Sequence, residues 1–202
     1  SPTVRRRMDT GNTAWVLISA ALVLFMTPGL AFFYGGMVRS KNVLGMLMQN
    51  VFAIGLISVL WAVIGFSLAF GGDGSLIGNL DYAFVYDVAT AELAPNGMAY
   101  FAFQMMFAVI TPALITGATA DRLKFSGYAV FIALWSLLVY SPVAHWVWDA
   151  GGWIFEMGAL DFAGGAAIHI NAGIASLAVV TVIGQRRGHG SEPMPPHNLP
   201  FT

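Results

Sequence analysis

The sequence predicts an all-α fold: a polytopic transmembrane helix bundle with five spans. Three observations carry that prediction. Of 202 residues, 57% are hydrophobic and only 9% are charged, whereas a water-soluble domain of this size carries roughly 25% charged residues. Those few charges fall almost entirely between long apolar runs, the pattern expected when hydrocarbon is the solvent. The 23 glycines would weaken soluble helices, but glycine is common where membrane helices pack closely. A formal net charge of −1 gives no reason to expect nucleic acid as a partner. The absence of cysteine excludes disulfides and thiolate metal sites.

The first element has to be separated from a targeting signal. Arg5, Arg6 and Arg7 precede an apolar stretch from Ala14, as in a signal peptide, but the stretch continues to about Phe33 and is long enough to span. A helix needs about 20 apolar residues to cross the hydrocarbon core. The runs that meet or approach this are Thr13–Tyr34, Met48–Phe70, Met98–Ala118, Phe125–Val143 and Gly165–Ile183. Pro28 and Pro112 interrupt the first and third, and neighbouring helices re-satisfy carbonyls freed in this way. Pro142 reads most simply as marking the end of the fourth. Residues 1–12 thus form a tail, 13–183 a transmembrane domain, and 184–202 a proline-rich loop that leads onward.

Two connections are long. Gly71–Gly97 carries Asp73, Asp81, Asp87 and Glu92 without any Lys or Arg, and its glycine punctuation reads as irregular loop. His145–Gly164 is also acidic, with Asp149, Glu156 and Asp161, and its Trp146, Trp148 and Trp153 match an interfacial belt. Basic residues mark the other side: Arg39 and Lys41, Arg122 and Lys124, Arg186 and Arg187. The positive-inside rule makes that side cytoplasmic and the N-terminus external, in a plasma (inner) membrane. The triple arginine of the tail conflicts with this orientation, and an artificial tail would weaken the conflict.

Within the spans, His169 is the strongest pointer to chemistry. It lies near the start of the fifth run, where a polar imidazole costs free energy unless it meets a partner or a cavity. Neutral imidazole offers one donor and one acceptor, which suits passing a small polar solute. A histidine hydrogen-bonded between helices, with Asn171 nearby, explains it equally well. Asp161 precedes a run of small residues and reads first as a helix cap; a carboxylate at a pore mouth, attracting a cation, is the rarer role. Phe103 and Phe107 are four apart and share a helix face. With Trp148 they are candidates for attracting a cation through their ring faces, although lipid-facing aromatics are commoner. Gln104, Thr111 and Thr116 suggest that part of the third span faces protein. No catalytic triad, phosphate loop or metal motif is present in the sequence; Gly35-Gly36 and Gly71-Gly72 are lone turn signals. A non-enzyme without cofactor or metal, handling a solute that is neutral while it crosses, fits this chemistry.

These residues carry a family resemblance from Asn12 to Thr202. The segments Ala21–Gly36, Arg39–Leu44, Trp61–Gly71, Phe103-Gln104 with Phe107, and Asp121–Ser126 contribute to it. The most specific are Gly158–Gly165 running into His169–Ala172, and Pro195–Pro200. Together they resemble the N-terminal half of an ammonium transporter of the Amt/Mep/Rh superfamily, on its bacterial Amt side. The resemblance implies a homotrimer with one pore per subunit, eleven spans, and an external N-terminus. It implies recruitment of ammonium at an outer site matched by Trp148 and Phe107, with Phe107 also in a phenylalanine gate. Asp161 matches a carboxylate that organises that site, and His169 the first of two pore histidines implicated in moving the proton. The second histidine, the second gate phenylalanine and an outer-site serine belong to a second half of the family's inverted repeat. This half is expected to be completed either by another chain or by the rest of a longer protein.

Ammonium transport leads these readings. An ammonium-sensing module coupled to a cytoplasmic regulatory or signalling protein shares every recruitment residue. A membrane subunit with no solute path leaves Gly164–Asn171 unexplained.

Overall fold

The computed structural model describes residues 9–93 and 96–202. Arg5–Arg7, and with them the topological conflict, lie outside the described residues. Five helices are long and apolar enough to cross a membrane: α1 Thr10–Met37, α2 Ser40–Phe70, α3 Gly97–Thr119, α4 Phe125–Glu156 and α5 Gly165–Ile183. No strand occurs among the described residues. The fifth matches the run read from the sequence. The second begins earlier than expected, because a short turn at Ser40–Asn42 leads directly into the helix at Val43.

The fourth span is where sequence and structure diverge most. Pro142 does not end it: the helix runs Phe125–Trp135, widens over Ser136–Tyr140, and continues through Ser141–Trp148 before a separate turn at Trp153–Glu156. In the widened stretch backbone N–H groups bond five residues back, as Ser141 N does to Ser136 O. Pro142 follows directly, where its missing N–H is tolerated, and the Ser141 hydroxyl adds a bond to the same Ser136 carbonyl at 3.1 Å. Similar wide turns occur at Trp61–Gly65 in α2 and Gly165–Ile170 in α5. Those of α2 and α4 pack together, with the Trp61 and Tyr140 rings 6.1 Å apart.

Helix α3 is the centre of the bundle. It packs against α1, α2 and α5, and two-thirds (67%) of its apolar window is buried, against 22% for α1 and 17% for α5. Gln104, Thr111 and Thr116 of α3 are all buried, as their polarity predicted. Thr116 accepts from Asn50 of α2 at 3.4 Å, and Thr119 donates to Gln49 at 3.4 Å, so polar groups tie the two helices inside an apolar bundle. By contrast Ile170, Ile174 and Leu177 form an uncovered apolar face on α5.

The ends of the bundle have opposite charge. At one end Arg39 pairs with Asp121 at 3.2 Å and Glu192 at 2.8 Å, and Arg122 donates to Gly184 O at 2.7 Å. Segment 184–202 folds back there: His197 N bonds Val38 O and Asn198 N bonds Gly36 O. Gly36 is therefore part of α1 and not of a turn, and a Cβ there would come within 2.7 Å of Asn198 O. At the other end lie the acidic loops, with α4 delivering Trp148 into them.

Candidate functional site

Asp161 organises the acidic end. A helix start leaves four backbone N–H groups without partners, and a side-chain cap ordinarily satisfies one of them. Here Asp161 Oδ1 accepts from Gly164 N and Gly165 N at 2.7 Å each, and Oδ2 from Ala166 N and Ala167 N at 2.9 Å each. The chain reaches this geometry because Gly164 turns left-handed, with φ at +92°. A Cβ on Gly164 would also lie 2.2 Å from Ile168 Cδ1. With about four acceptor positions on a carboxylate, the four amides use it fully. Asp161 thus offers its charge to the surroundings and not a free ligand oxygen.

The main chain of the same residue holds an aromatic. Trp148 Nε1 donates to Asp161 O at 2.8 Å. The Trp148 ring lies 5.8 Å from that of Phe107, inclined at 46°, and Phe103 meets Phe107 edge-on at 4.9 Å and 81°. Phe107 is buried, while Phe103 and Trp148 are half-buried. Four of the five predicted site residues, from α3, α4 and the loop before α5, therefore form one cluster. Its π faces attract a cation within about 6 Å of a ring centroid. The loops around it hold Asp73, Asp81, Asp87, Glu92, Asp149 and Glu156, and no Lys or Arg among the described residues. Burial, then Asp81 and Asp149, push the Tyr82 phenol above its ordinary value, a sign of how negative this end is.

The fifth residue, His169, stands apart. It lies in the wide first turn of α5 that Asp161 caps, its own N–H bonding Gly164 O at 2.9 Å. Its side chain is exposed, on the side of α5 that the five helices leave uncovered. Asn171 bonds Ala167 O of its own helix at 3.2 Å, so it does not join α5 to another span.

Two further side chains fasten the stretch before Trp148, and of these only His145 went unmarked in the sequence. Trp146 Nε1 donates to Leu76 O at 2.6 Å. His145 is fully buried, with Nδ1 at 2.8 Å from Ala69 O and Nε2 against Gly74 O. The signal that could have found His145 is its place about one helical turn before Trp148. Ending the span at Val143 hid it, by assigning both to a loop.

The chain matches the Ammonium Transporter Family over residues 14–202. It is 50% identical over 222 residues to the "Ammonium transporter" of Mycobacterium tuberculosis, covering 96% of this chain and 46% of that protein. Against the "Ammonium transporter" of Bacillus subtilis identity is 46% over 201 residues, covering 96% and 48%. Among solved structures, Saccharomyces cerevisiae Mep2 superposes with a TM-score of 0.87 at 30% identity, covering 97% of this chain and 46% of that one. A "Sensor Amt Protein" superposes at 0.86 and 30%, covering 94% and 49%. The chain spans about half the length of the curated relatives it matches.

Proposed function

Because this chain belongs to the ammonium transporter family, we propose that it forms the first half of an ammonium transport path, with the acidic end outside the cell. Ammonium is recruited by the faces of Trp148 and Phe107, with Phe103 supporting the Phe107 ring, in the negative field of the surrounding loops. The observation that carries this reading is the cluster itself: three aromatic rings from two helices, with Trp148 held by the Asp161 carbonyl and the Asp161 carboxylate charge beside it. A cation gains most from a π face where water is partly excluded, about 2 kcal/mol or more.

Beyond the aromatics the path becomes apolar, and a permanent charge is costly there. The substrate therefore crosses as ammonia, giving up its proton near the buried Phe107 ring. His169, neutral and offering one donor and one acceptor, lines the path and takes part in moving the proton. The exposed apolar face of α5 around it supports a missing opposite wall, supplied by a second set of helices. A complete protein of that kind would be multi-pass in the plasma membrane, assembled as a homotrimer, and open to a cytoplasmic regulatory protein at its basic end. Likeness to a protein named as a sensor leaves a signalling role for the same cluster as the second reading.

Methylammonium uptake by the full polypeptide tests the proposal. Phe107→Ala and His169→Ala are both expected to reduce it sharply at unchanged membrane abundance. Unaltered uptake in folded His169→Ala would remove the relay role.

A further inference from the structure

His145 is one of the largest side chains with no exposure at all, and each of its ring nitrogens faces a carbonyl. Ala69 O lies 2.8 Å from Nδ1, and Gly74 O faces Nε2. Carbonyl oxygens only accept, and a neutral imidazole has one N–H to give. The ring therefore donates to one carbonyl and lies against the other, spanning the gap between them.

A carboxylate stands beside the ring. Asp149 Oδ2 lies 3.8 Å from Nδ1, while also accepting Gly151 N at 2.9 Å. Neither neighbouring loop carries a Lys or Arg among the described residues.

The two carbonyls belong to different structural units. Ala69 is in the last turn of α2, and Gly74 is in the loop that follows. That loop is folded onto α2 by Gly78 N to Leu68 O and Asn79 N to Gly71 O, and Trp146 adds its bond to Leu76 O. The Ser141–Trp148 stretch of α4 is thus fastened to α2 and its loop just before Trp148.

We propose that His145 is a positioning residue that holds Trp148 over Phe107 by clamping α4 to the end of α2 and the loop that follows it. This rests on the aromatic cluster being the recruitment site, and the test separates the two. In uptake assays on the full polypeptide His145→Leu is expected to raise KM for methylammonium about tenfold, the effect of about 1.4 kcal/mol, with Vmax nearly unchanged. His145→Gln, which keeps an N–H donor, should recover part of the loss. An unchanged KM in His145→Leu overturns the proposal, and if that variant fails to reach the membrane His145→Asn, too short to span both carbonyls, decides by the same reading. Should Trp148→Leu leave KM unchanged, the recruitment reading fails; a raised KM in Trp148→Leu beside an unchanged KM in His145→Leu defeats the clamp alone.

Discussion

The aromatic cluster and the His169 face differ in how much of their environment this chain supplies. Trp148, Phe107, Phe103 and Asp161 come from three parts of the sequence, yet each is held by contacts within the chain. His169 also lies on a helix, but its side chain is exposed, with no hydrogen-bond partner among the described residues, and the surrounding face of α5 is open. This chain therefore holds its aromatic cluster from several sides, but offers only one wall of the proposed path. Asp161 links the two regions, since it fixes Trp148 with its carbonyl and starts the helix of His169 with its carboxylate.

That link makes Asp161 the residue whose loss should do most. Asp161→Ala strands four amides, and a bond to a charged acceptor contributes roughly 1.5–3 kcal/mol. The full polypeptide should lose thermal stability in detergent, and methylammonium uptake should approach background. Asp161→Asn keeps one good acceptor oxygen, so it is expected to retain more stability than the alanine variant. Equal stability in the two would mean that the carboxylate is not the main support of the α5 start. His169→Ala provides the contrast. Its side chain is exposed within this half, so stability should hold while uptake falls about hundredfold, the low end for a positioned proton carrier. A variant that lost stability instead would show the histidine to be structural and would erase the distinction between the two regions.

The same contrast governs what could be read from the sequence. Local patterns were legible: five apolar runs, the fifth with the bounds observed, and Phe103 and Phe107 on one face because they are one helical turn apart. The capping role of Asp161 was also readable from the small residues that follow it. Its four amides were not, because they depend on the left-handed Gly164 and on a widened first turn. Phe107 and Trp148 are 41 residues apart, and no periodicity links them; only packing of α4 against the bundle does. Pro142 misled because a wide turn lets the helix continue past it, and that concealed His145. The exposure of His169 depends on which helices surround α5, a property that its own segment does not encode.

Smaller effects should grade the cluster from within. Trp148 presents a large π face next to Phe107, and a partly desolvated cation–π contact contributes about 1–2 kcal/mol. Trp148→Leu should therefore raise KM for methylammonium roughly tenfold. Phe103 touches the cluster only by its edge-on contact with Phe107, and an aromatic pair of this geometry contributes about 0.5–1.5 kcal/mol beyond burial. Phe103→Leu keeps most of the apolar volume and removes the ring. It should raise KM only about two- to threefold, matching the lower end of that range. Because Phe103 acts here by steering the Phe107 ring, its effect should largely vanish in a Phe107→Leu background. Full additivity of the two substitutions would instead assign Phe103 its own contact with the cation, giving the entrance three independent faces in place of a supported pair.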